Sequence, residues 1–195
     1  MSGRTRKSLL PALAVLALAL LGGCGDSHTK VSTGTYAGES GANAPYLDVG
    51  PLTYEVQLSR QLSPFDTEDA TYLQGLSGTQ HALSPQQEWF AVFVQVYNTT
   101  SATHVAASSM TITDTQGITY NPVLPDSTNQ FAYRGGTVPA KGRLPGPDSI
   151  AAAGPTQGAL LLYKIQIASL NNRPLKLKIV DPTDASQTAS AELDV

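Results

Sequence analysis

Few residues in this 195-residue chain are of types that do chemistry, and their spacing decides which chemistry is open to them. The single cysteine, Cys24, follows two glycines at the end of an apolar run, in "ALALLGGCG". A thiolate is a good nucleophile for taking up a lipid, and small residues ahead of it let an extended backbone enter a protease. His28, His81, His104 and Met110 are the ligands on offer to copper, but they come without a second sulfur and without close pairing. A serine hydrolase needs a base and an orienting acid beside its nucleophile. No Gly-x-Ser-x-Gly elbow occurs, and His81 and His104 lie beside turn signals, in "SGTQHALSP" and "TTSATHVAAS". Asp66, Glu68 and Asp69 cluster on what reads as the first turn of a helix, where acids favour the dipole, and they do not form the separated pair of a glycosidase. What remains is recognition by shape. "NQFAYRGG" puts Phe131, Tyr133 and Arg134 in one loop, a composition common at interface centres, although the same aromatics also serve to pin a loop onto the domain beneath it. The expectation is therefore lipidation at Cys24, a partner-binding loop at Phe131, Tyr133 and Arg134, and no catalytic residue, metal or cofactor.

The segment in front of Cys24 fits that expectation. Arg4, Arg6 and Lys7 form a positive start, and Leu9 to Leu21 is an apolar run of 13 residues, short for a membrane span. Leu21-Gly22-Gly23-Cys24 resembles the bacterial lipobox, in which a peptidase cuts before a cysteine already joined to diacylglycerol. Residues 1–23 read as a lipoprotein signal peptide, residues 24–48 as the lipidated cysteine and a Gly/Ser/Thr-rich tether, and residues 49–195 as the folded domain. Cleavage removes three cations and leaves 9 Lys and Arg against 15 Asp and Glu, a net charge of −6. An acidic body is repelled by anionic lipid, so the membrane is engaged through the acyl chains, on the extracytoplasmic face. The scattered basic residues give no nucleic-acid footprint.

Within the domain the apolar residues recur with period two. "LTYEVQLSRQL" alternates Tyr54, Val56 and Leu58 with polar residues, the pattern of a strand with one wet face. "SPFDTEDATYLQG" reads as a short helix with Ser63 as N-cap and Pro64 first, presenting Phe65, Tyr72 and Leu73 to a sheet. "EWFAVFVQVYNTTS" is apolar on both sides apart from Gln95, so it predicts a central strand covered on both faces. "SMTITDTQGITYNPV" predicts a hairpin with Met110 and Ile112 facing Ile118 and Tyr120 around Asp114 to Gly117. Residues 121–158, with six Pro and six Gly, predict a long loop. Leu161, Tyr163, Ile165 and Ile167 form an inward row; Leu175, Leu177 and Ile179 alternate with lysines, and Ala191, Leu193 and Val195 with acids. The sum is about seven strands and one short helix, an all-β, Ig-like antiparallel sandwich, with a closed barrel as the alternative fold.

Three passages, "WFAVFVQVYNTTS", "SMTITDTQGITYNP" and "GALLLYKIQI", give residues 51–181 a resemblance to bacterial Ig-like (telokin-like) lipoprotein domains of unknown function. The resemblance implies a sandwich fold and a lipid-anchored location, and it supplies no catalytic residue. The helix at 64–74 and the loop at 121–158 depart from the family pattern, so the chain's own function is expected there. The expected function is a non-catalytic binding or accessory module whose partner is an envelope protein or a cell-wall polymer. A copper-handling module is the alternative, and a hydrolase stands third.

Overall fold

The computed structural model describes residues 31–32 and 46–193; the expected signal peptide, Cys24, His28, most of the expected tether and the last two residues lie outside the described residues. Twelve strands appear, in order β1 (Val31–Ser32), β2 (Tyr46–Val49), β3 (Leu52–Leu62), β4 (Gln87–Tyr97), β5 (His104–Ala106), β6 (Met110–Thr113), β7 (Thr119–Tyr120), β8 (Gly136–Val138), β9 (Arg143–Leu144), β10 (Ala159–Gln166), β11 (Leu175–Val180) and β12 (Thr188–Leu193). Three short helices, α1 (Thr67–Tyr72), α2 (Gly78–His81) and α3 (Ile150–Ala153), and a 3₁₀ turn at Ile167–Asn171 complete the described chain. The strands form two sheets, β1-β12-β11-β6-β7 and β10-β4-β3-β2, with β9 on the end of β4 and a separate β5-β8 ribbon. Every pairing between named strands is antiparallel except that of β1 with β12. The fold is a sandwich of mainly antiparallel sheets.

Alternation builds the core. Val56, Phe90, Val92, Val94, Leu161 and Tyr163 of one sheet meet Ile112, Leu177, Ile179 and Ala191 of the other, all at most 3% exposed. Three tyrosines then lock the segment that crosses between sheets. The Tyr54 hydroxyl accepts from Ala107 N at 2.7 Å, while Tyr133 donates to Ala107 O and Tyr163 to Met110 O. Burial pushes the Tyr54 phenol up to about 12, so all such groups stay neutral donors and acceptors across the working pH range. Gly158, at φ +110, enters β10 so close to β4 that a Cβ would stand 3.0 Å from Val94 N; no side chain fits there.

One residue reverses the alternation of β3. The register with β4 shifts between Val56 and Leu58, making Gln57 a bulge. Tyr54 and Val56 face the inner core, but Leu58 and Leu62 face the opposite side, where they join Tyr72, Leu73, Trp89, Ala91, Phe93, Leu160 and Leu162 in a second cluster. The expected common face of Tyr54, Val56 and Leu58 is thus corrected. The double-sided coverage expected of β4 is present. Sheet β10-β4-β3-β2 is a middle layer, and α1, α2 and the 121–135 segment cover its far face.

Other expectations shift for local reasons. Sheet structure begins ahead of residue 49: within the expected tether Val31–Ser32 pair with β12, and in β2 Leu47 and Val49 are buried before Gly50 turns the chain at φ +56. Asp66, not Ser63, caps α1, accepting from Glu68 N and Asp69 N, and this leaves Phe65 in the preceding turn 96% exposed. The helix is fixed from below: Asp69 pairs with Arg60 at 2.5 Å and accepts from Ser63 N. Ile118 and Ile167 are about half exposed, because the ends of the hairpin and of β10 run past the core. Residues 121–158 contain β8, β9 and α3 and so are only partly loop.

A buried chain of hydroxyls joins the β6–β7 hairpin to the end of β10. Gln166 N donates to the Tyr120 hydroxyl, which reaches Ser169 Oγ at 2.7 Å, and Ser169 donates to Asp114 Oδ2 at 2.7 Å. Burial alone would raise the Asp114 carboxyl, but the Ser169 hydroxyl and the Ile118 and Gln116 N–H groups outweigh it and hold it below 3.8. A depressed carboxylate contributes stability that is present above its unfolded value and is lost as pH falls through the lower folded value. Ser169→Ala is expected to cost about 1–3 kcal/mol near neutrality. It should also shrink the part of the acid-unfolding curve that lies below pH 4 or so, as a denaturant titration at several pH values would show.

Candidate functional site

The two segments that a bare sandwich does not need meet over the outer face of sheet β10-β4-β3-β2. The junction is built on Asn129, 3% exposed, whose Nδ2 donates to Tyr72 O and Gln74 O at 2.9 Å while its Oδ1 accepts from Phe131 N and Ala132 N. All four bonding positions of one amide are used, which ties the end of α1 to the excursion. From there the chain runs along β10: Leu160 N donates to Phe131 O, Tyr133 N to Leu160 O and Val123 N to Leu162 O, so the outer edge of β10 is covered. Asn129 was not singled out in the sequence, since a lone Asn in a loop carries no signal until its partners are known.

The structure separates the three loop residues. Tyr133 is 5% exposed and turned into the core, with its hydroxyl on Ala107 O; its ring is therefore unavailable at the surface. Arg134 is exposed, but Nη2 is spent on the carbonyls of Pro125, Asp126 and Asn129, holding the loop closed. Phe131 is half-buried and stands edge-on to Tyr72 at 4.9 Å, and Tyr72 in turn stands edge-on to Phe93 at 5.1 Å. Of the three, Phe131 alone lines the larger hollow on this face. That hollow measures about 610 Å³ and is walled by Thr71 and Glu68 of α1, by Gln130 and Phe131, and by Ile150 and Pro155. A smaller one, about 300 Å³, lies on the other side of Phe131, toward Arg134 and Pro145. Volumes of this size are typical of small-ligand or side-chain pockets.

Glu68 accepts from the Tyr72 hydroxyl at 3.3 Å and lies 3.8 Å from Arg60, so its charge is partly met within the domain. Asn129→Ala should release two carbonyls and two N–H groups together. We expect a loss of about 1–3 kcal/mol, with faster amide exchange concentrated in 67–74 and 129–133.

The other sequence candidates are dispersed. His81 is exposed on α2, and Lys164, which donates to Ala82 O at 2.6 Å, closes that helix. His104 is on β5, with Nε2 2.9 Å from Thr100 Oγ1, and Met110 is sealed in the inner core. Among the described residues no three His, Cys, Asp or Glu side chains stand together in a way that could hold a metal ion. Among them also, no helix is long and apolar enough to cross a membrane.

No protein-family model and no curated protein matches this sequence. Solved structures match in fold. The yjhA protein of Bacillus subtilis aligns over 77% of this chain and 97% of its own, with a TM-score of 0.50 at 12% identity. An uncharacterized β-sandwich protein of Clostridium difficile aligns over 85% and 96%, with a TM-score of 0.44 at 10% identity. For ycdA, a predicted lipoprotein of Bacillus subtilis, the shares are 80% of this chain and 39% of that one, with a TM-score of 0.47 at 12% identity. The likeness to yjhA shows a shared fold and nothing finer.

Proposed function

We propose that this chain is a lipid-anchored, extracytoplasmic sandwich of the bacterial Ig-like lipoprotein kind, and that it works as a non-catalytic binding module. The observation that carries the reading is the hollow beside Phe131. It is made by the helix and the excursion that depart from a plain sandwich, over a face those segments already cover, and Asn129 and Arg134 hold its walls in place. Rigid walls lower the entropic cost of binding. An aromatic ring with Ile150 and Pro155 supplies apolar area, while Gln130, Thr71 and Glu68 supply hydrogen-bonding groups at the rim, as recognition sites require. The partner is an envelope protein or a cell-wall polymer. Tyr133 and Arg134 act from beneath as positioning residues. The anchor rests on the ordered basic, apolar and lipobox segments that end at Cys24.

Chemical cross-linking in intact membranes tests the contact surface. Phe131→Ala and Gln130→Arg should both remove the adducts formed by the parent protein; Gln130 is exposed, so its replacement leaves the core intact. Adducts unchanged in both variants would retire the proposal.

A further inference from the structure

We infer that the pairing of β1 with β12 sets how the sandwich stands on the membrane, with the end that carries the 181–187 turn toward the lipid. The inference rests on the lipid-anchor reading. Val31 lies opposite Ser190 and Ser32 opposite Ala191 in a parallel pair, and β12 runs away from the 181–187 turn. The chain therefore enters β1 from the turn's end. The β2–β3 turn lies at the same end, since a Cβ on Gly50 would come within 2.1 Å of the Asp181 carboxylate. The pairing also covers the outer edge of β12 beside Ser190 and Ala191.

Chain length turns this contact into an orientation. Cys24 is seven residue steps from Val31, which span at most about 25 Å even when fully extended. If the first fixed point were Tyr46 instead, 22 steps would allow roughly 75 Å, and any face of the domain could reach the headgroups. The sandwich is about 35 Å long along the eleven residues of β3. Val31 sits opposite Ser190, two residues into β12, about 7 Å from the start of that strand. Inverting the domain would carry Val31 nearly beyond the reach of its leash. The opposite end, with Phe65 in the β3–α1 turn and Gln86 ahead of β4, is thereby held away from the bilayer and open to a partner.

The test uses the acylated lipoprotein in phosphatidylcholine vesicles containing brominated lipid. An environment-sensitive thiol label is placed at Ala185→Cys or at Gln86→Cys, both exposed positions; the lipidated Cys24 does not react. Co-flotation with the vesicles, loss of emission at 185 and unchanged emission at 86 is the expected result. Flotation with equal quenching at both positions, or with quenching at 86 alone, overturns the orientation and leaves the anchor standing. Failure to float removes the anchor reading and this inference with it.

Discussion

Phe93→Ala is expected to lower the unfolding free energy by about 3–5 kcal/mol, the range for removing a fully buried aromatic ring. A domain of this size holds on the order of 5–15 kcal/mol, so this single change removes a large share. The cost follows from position. Phe93 is 0% exposed on the outer face of β4, opposite Leu58 of β3 and Leu160 of β10, and its ring meets Tyr72 of α1. No solvent-facing side exists into which the cavity could collapse. The loss should be local before it is global: amide exchange in 67–74 should quicken ahead of exchange in β11 and β12, which belong to the other sheet. A uniform change across both sheets would mean that the outer layer is not a separate packing unit.

Cys24→Ser should release the protein from the membrane or leave an uncleaved precursor there. Each buried methylene contributes roughly 0.8 kcal/mol, and two acyl chains together hold a protein in practice permanently. A chain cleaved before Cys24 would carry a net charge of −6, so no electrostatic attraction to anionic lipid would replace them. The check is fractionation of cells with mass measurement of the mature N-terminus. A mature, unacylated protein that stays in the membrane fraction would contradict the anchor.

The strands were legible where one face is wet or both are dry. Period-two alternation located β3, β6, β10, β11 and β12, since burial of one face imposes it directly, while an apolar run on both sides located β4 and the Asp114–Gly117 turn located β7. The short strands were not legible, because β5, β8 and β9, of two or three residues each, carry too few side chains to display a period. The Gln57 bulge was invisible for a related reason: an inserted residue inverts the faces downstream of it, yet "EVQLSRQL" still reads as plain alternation. The α2 signal was present but read as a turn. Ser77 and Gln80 form a capping box, with Ser77 Oγ accepting from Gln80 N and Ser77 N donating to the Gln80 side chain. Ser149 marks the start of α3 by a one-way cap, its Oγ accepting from Ala152 N.

At the candidate site, the sequence grouped Phe131, Tyr133 and Arg134 in one loop, and the structure gives the three different surroundings. Aromatic and Arg composition identifies a segment with packing or binding value, but it does not say which ring turns inward. That choice was made by Ala107, whose carbonyl takes the Tyr133 hydroxyl, and by the row of carbonyls that occupies Arg134. Asn129 became recognisable only once Tyr72 and Gln74 were seen beside it.

Site-specific photo-cross-linking in intact cells tests the central claim most directly. A photoreactive residue at Gln130, on the rim of the hollow, is compared with one at Lys178, exposed on the opposite sheet. The account predicts discrete adducts from position 130 that are absent from position 178 and that disappear with Phe131→Ala. Adducts from 178 alone, or an identical set from both positions, would contradict it.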